Sequence, residues 1–238
     1  MKKTGGKKIL EIIMLLVWVF VSFLASRFVF GLLFSIFVSA ESTAINTVYN
    51  ILVYAATLTL IFVVPPKLFH KWQTSTNEVG TEGSLTWADL GLAPVGFIVY
   101  FLLSAALTNL LSSLPFFDAS SAQDVGYNIL LPGVDRIMGF AMLVVIAPIV
   151  EEIIFRGWLY GKLRAKITGK LSILASSLLV SLLFALFHQN FAVGVDVFAL
   201  SMVSCVLREI TGTVYSGIVM HMLKNALAFY LVYIAGIS

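Results

Sequence analysis

Long apolar runs separated by short polar links set the pattern of this chain. A helix needs about 20 mostly apolar residues to cross a bilayer's hydrocarbon core. Inside lipid, every backbone N–H and C=O must find a partner within its own segment, so such runs fold as helices. The pattern predicts spans over about 9–38, 44–64, 94–111, 134–150, 171–188, 193–207 and 214–234. Pro65-Pro66 ends the second span, because proline lacks a donor and restricts the residue before it. Trp87-Ala88-Asp89-Leu90 is expected to begin a short interfacial helix ahead of the third. The fourth continues as a basic helix through Arg164, and Thr168-Gly169-Lys170 turns the chain into the fifth. Pro148 is expected to kink the fourth span and free a backbone carbonyl. The expected fold is all-α: a polytopic transmembrane helical bundle of about seven spans, or eight if the first breaks near Arg27. It is read as a single integral membrane domain, 1–238, whose core is 134–235.

Composition supports this reading. The chain is 60% hydrophobic and 11% charged, against about 25% charged in an average soluble domain. A net charge of +3, confined to span flanks, gives no reason to expect a nucleic-acid partner. The expected partners are the lipid bilayer and a membrane-associated protein or peptide substrate. The N-terminal lysines precede an apolar run too long for a signal-peptide core, so that run is read as a retained span. With seven spans and a cytoplasmic N-terminus, the inner segments hold Lys2, Lys3, Lys7, Lys8, Lys67, Lys71, Arg156, Lys162, Arg164, Lys166, Lys170 and Arg208. That is 12 of the 15 Lys and Arg residues, the asymmetry the positive-inside rule requires. The cell membrane is the expected location. Arg27 is expected to snorkel or pair, and the lone Cys205 to pack as a small hydrophobe.

Polar groups in the C-terminal half carry the chemistry. Glu151 and Glu152 adjoin an apolar run, where an ionisable group costs roughly 3 kcal/mol on insertion scales. Glu152 and Arg156 are four residues apart and suit an intrahelical ion pair. Glu151, rotated about 100° away, is assigned to the cavity. Phe184 precedes His188 by one turn, and His221 shares a helix face with Asn225. Glu151 lies 18 residues before Gly169 and His188 lies 19 after it. At 1.5 Å per residue both are roughly 27 Å from the turn, so they meet at one depth. A desolvated carboxylate can serve as a general base. The histidine facing it can hold the water, and a second histidine and an asparagine can donate to an oxyanion. Asp196 is read as structural.

The ordered set Glu-Glu-x-x-x-Arg, Phe-x-x-x-His and His-x-x-x-Asn resembles the CPBP intramembrane proteases. That family includes the type II CAAX prenyl endopeptidases and the bacterial Abi and bacteriocin-processing or immunity proteins. The matching residues are Glu151, Glu152, Arg156, Phe184, His188, His221 and Asn225, within 148–225. The resemblance implies a helical membrane bundle with endopeptidase activity at a site open to the cytosol. It also implies that Glu151 activates water, His188 assists, and His221 and Asn225 form the oxyanion site. Substrates would be a CAAX-type prenylated protein, or a bacteriocin or signalling-peptide precursor. A metal-free glutamate mechanism without cofactor is expected. Zinc on Glu151, His188 and His221 is the alternative, since His₂Glu is a known catalytic set. Two non-proteolytic readings stand beside it: a membrane scaffold or self-immunity protein acting on a partner such as a sensor kinase, and a proton-relay transporter.

Overall fold

The computed structural model describes residues 2–37, 42–68, 72, 74–115, 117–118, 127 and 133–236. Ser39, Ala40 and Glu41 of the first link, and Lys71, lie outside the described residues. Helix α1 (Lys2–Phe37) is continuous through Arg27, so the expected alternative of a break there is not seen. Arg27 stays exposed, with its guanidinium 5.8 Å from the Phe23 ring centroid. Then follow α2 (Thr43–Phe62), α3 (Val64–Leu68), α4 (Thr76–Val79), α5 (Trp87–Leu111), α6 (Gly133–Lys166), α7 (Ser172–Phe187), α8 (Phe191–Thr211) and α9 (Tyr215–Ile234). Six are long and apolar enough to cross a membrane, and the shorter apolar α7 makes a seventh bundle helix. Strands are absent among the described residues. The chain is an all-α integral membrane protein.

Local chemistry sets most boundaries. Pro65-Pro66 close α2 but also open α3, because proline's missing N–H costs nothing in a first turn. The short helix expected at Trp87 and the third span are one element, and Pro94 lies inside it. A capping box starts α5: Thr86 Oγ1 accepts from the Asp89 amide, and Asp89 accepts back from the Thr86 amide. Asp89 also accepts from Ser216 Oγ at 2.7 Å, tying the start of α5 to α9. The expected hairpin turn is present, with Gly169 at φ +108°.

Apolar side chains cover the outside, as a lipid-facing surface requires; Phe28, Leu110 and Val134 are each more than two-thirds exposed. The interior centres on α6, with Trp158, Leu159 and Leu163 at 0% exposure. Cys205, also 0% exposed, packs in this core as expected. Helix α8 packs against α5 and α7, and α9 packs against α5 and α6.

The loop holding α4 is bound to the basic end of the bundle. Ser75 and Glu78 form a second capping box, and Gly80 caps α4 at φ +73°. The Gly80 carbonyl accepts from the Val214 amide at 3.0 Å, and the Thr81 carbonyl accepts from Tyr215 Oη at 3.0 Å. Gly157 and Gly161 of α6 let this loop approach closely. A Cβ on Gly161 would stand 2.7 Å from the Glu78 carbonyl oxygen, and one on Gly157 2.9 Å from that of Val79. Cations at this end have partners: Arg164 Nε reaches Glu209 Oε1 at 2.7 Å, Lys162 pairs with Glu78 and Lys166 with Glu11.

Candidate active site

Helix α6 presents the motif through an irregular backbone. Residues Ala141–Ile146 and Ile153–Leu159 are π-helical, and Ala147–Glu152 between them is α-helical. Such π segments inside helices recur at functional sites. In the first one the Ala147 amide donates to the Met142 carbonyl, five residues back. In that register the Leu143 carbonyl would look to residue 148, which is proline and has no N–H. Asn225 supplies the missing donor, Nδ2 to Leu143 oxygen at 2.8 Å. The carbonyl freed by Pro148 therefore exists, and Asn225 of α9 holds it. One amide hydrogen of Asn225 remains for other work.

The two carboxylates differ in environment. Glu152 is fully buried and lies 3.0 Å from Arg156 Nη1, as the four-residue spacing suggests. It also meets His221 Nδ1 at 3.1 Å. An ionised carboxylate only accepts, so Nδ1 carries the proton and Nε2 faces the other way. That face belongs to Glu151, whose Oε2 is 3.9 Å from His221 Nε2. The Glu151 side chain is 19% exposed and reachable; that of Glu152 is 0% exposed. His221 is thus held between the two glutamates, one orienting it and one sharing its working face.

His188 caps the C-terminus of α7, with Nδ1 3.0 Å from the Phe184 carbonyl oxygen. Its ring and that of His221 both pack on Phe184, so the hairpin brings it to the depth of His221. Phe184 is the common wall. Its ring meets His188 edge-on at 4.9 Å and His221 at 6.1 Å, and the Arg156 guanidinium lies 4.5 Å from its centroid. No Arg156 nitrogen has an aligned hydrogen-bond partner. The Glu152 charge and the Phe184 face offset its burial.

All seven motif residues therefore gather around one centre. Sequence reasoning missed Tyr54 of α2, whose Oη donates to Glu151 Oε1 at 2.6 Å. No spacing rule marks one tyrosine in an apolar helix; only its rank as a polar tip at mid-span could have drawn attention. The Glu152–His221 contact was missed as well, because Glu152 was assigned to Arg156 alone. A zinc ion would need Glu151, His188 and His221 to converge. Among the described residues no three His, Cys, Asp or Glu side chains do so. His221 Nδ1 is engaged by Glu152 and His188 Nδ1 by a backbone carbonyl, which leaves Nε2 as the remaining ring nitrogen of each.

Residues 133–227 match the sequence profile of a family described as type II CAAX prenyl endopeptidase Rce1-like. No curated protein and no solved structure matches the chain significantly. The matched stretch contains α6, α7, α8 and most of α9, with every motif residue of the centre. The motif resemblance and the profile agree on a membrane-embedded protease, whose surroundings are lipid and whose substrate is membrane-associated. The match covers less than half of the chain, and over residues 133–227 the protein is similar to the Rce1-like family, in agreement with the CPBP-type order of its motifs.

Proposed function

We propose that the protein is an intramembrane endopeptidase that hydrolyses a peptide bond with water activated by Glu151, without a metal or other cofactor. One observation carries the reading: of two adjacent glutamates, the reachable one faces His221 Nε2, while the buried one grips His221 Nδ1. Glu151 takes a proton from water as the oxygen attacks the carbonyl carbon, and returns it to the leaving amine. His188 holds the water. Because Nδ1–H is given to Glu152, His221 donates to the oxyanion from Nε2 as an imidazolium, with Glu152 as counter-charge. The second amide hydrogen of Asn225 is the other donor. Substrates are C-terminal segments of prenylated proteins or precursors of bacteriocin or signalling peptides. The cytoplasmic N-terminus in the cell membrane, and 134–235 as the working core of one domain, belong to the same reading.

The test is cleavage of prenylated and precursor peptides by purified protein in detergent, with and without a strong chelator. Glu151→Gln and His188→Ala should each lose roughly 10²–10⁴-fold in rate, and wild type should resist chelation. Activity abolished by chelation and restored by zinc would replace the glutamate mechanism with a metal one. Product formation by Glu151→Gln at the wild-type rate would remove Glu151 from the chemistry.

A further inference from the structure

Helices α5 and α9 enclose a groove of about 140 Å³ beside the centre, lined by Phe97, Tyr100, Phe101, Lys224, Leu227 and Leu231 among others. Its one cation, Lys224, lies within a membrane span, where an ionisable residue marks a functional site by default. Asp196 of α8 is its partner, and that pairing is loose. Asp196 Oδ1 accepts from Tyr100 Oη at 2.7 Å and from Ser104 Oγ at 2.6 Å. Lys224 Nζ stands 3.5 Å from Oδ2, well beyond the roughly 2.7–2.9 Å of a tight charge-assisted bond. An ammonium has three donors. Lys224 therefore combines an anchored counter-charge behind it with free donors in front, at the end of an apolar trough.

Depth argues for what enters. Lys224 is nine residues into α9, roughly 14 Å along the helix, and only one turn beyond His221. A lipid headgroup stays at the interface, whereas a substrate being cut must reach this level. Lys224 also adjoins Asn225 in the chain. We infer that Lys224 and this groove form a substrate subsite that takes a carboxylate flanked by apolar residues, held a few residues from the scissile bond. The carboxylate is the peptide's C-terminus or an acidic side chain. The inference rests on the endopeptidase reading, and at ~3.3–3.6 Å per extended residue it limits how far the cut can lie from the charge.

Binding separates the two claims. Full-length Glu151→Gln protein in detergent is titrated with fluorescent apolar peptides in two matched pairs: free acid against C-terminal amide, and Asp against Asn at one internal position. One pair should show about tenfold tighter binding of the carboxylate form, the size of one charged hydrogen bond. The acid–amide pair identifies a terminal carboxylate, and the Asp–Asn pair a side chain. Lys224→Met made together with Asp196→Asn, which avoids stranding a carboxylate, should bring that ratio to within about twofold. Lys224→Arg should keep it, and thermal melts confirm folding of each. Equal binding within both pairs, or a preference that survives Lys224→Met, overturns the subsite. Displacement of both members of each pair by phosphatidylglycerol, with no preference between them, overturns it in favour of a lipid site. A Lys224-dependent preference in a protein that cleaves none of the peptides supports the subsite and rejects proteolysis.

Discussion

Asn225 works at two jobs that a mutation cannot separate by activity alone. Its amide satisfies the Leu143 carbonyl that Pro148 leaves without a donor, and its remaining hydrogen is the proposed oxyanion donor. Asn225→Ala should therefore lower stability by about 1–3 kcal/mol, the cost of an orphaned buried acceptor, as well as lower turnover. A melting transition equal to wild type would mean that the Leu143 contact is expendable. Tyr54 is the sharper probe, since it touches Glu151, the proposed base, and comes from the half of the chain outside the family match. Tyr54→Phe removes one short hydrogen bond to Glu151 and leaves the ring in place. It should reduce kcat by roughly tenfold, one charged hydrogen bond, with little change in KM. A change confined to KM would place the phenol against substrate instead. At this scale the sequence was read well where polar residues recur at helical spacing, as for Glu152 with Arg156 and His221 with Asn225. Tyr54 and Lys224 were passed over for different reasons. A tyrosine is half apolar, and Lys224 was counted only as a charge when it should have been seen as an intramembrane one.

Among the elements, hydrophobic run length located the helices and prolines misled only once. Pro94 looked like a boundary, yet the Thr86–Asp89 capping box starts α5 earlier and the helix accommodates it. The π segments on either side of the glutamates were not legible, because nothing in side-chain type announces a five-residue register. Pro148 hinted at the consequence without naming the carbonyl. Gly80, Gly83 and Ser84 give the α4 loop the composition of a flexible one, but its backbone is pinned to α6, α8 and α9. Gly161→Val should disturb it selectively, since the new side chain meets the Glu78 carbonyl. The expectation is a loss of about 1–3 kcal/mol from overpacking and faster proteolytic nicking within 74–86. Unchanged nicking would show that the loop tolerates displacement.

For the whole molecule, charge asymmetry makes an orientation that can be measured. The native thiol, Cys205, is fully buried and should resist membrane-impermeant maleimide in the folded protein. A Lys7→Cys variant carries an exposed position at the N-terminal end of α1. It should label in inside-out vesicles and stay unlabelled in intact cells; the reverse pattern would invert the topology. Ion pairing is consistent with one end of the bundle being the basic one, where Lys162, Arg164 and Lys166 each meet an acid from another element.

Gly157-Trp158-Leu159-Tyr160-Gly161 has the small-xxx-small spacing through which membrane helices of separate chains often associate. Here that seam is filled from within, by the backbone carbonyls of Glu78 and Val79. A scan for dimerising helices would select this stretch and be misled. The two glycines serve the chain's own loop, so any self-association of the protein has to use a different face, and substitutions at this seam will register as folding defects before they register as changes in oligomeric state.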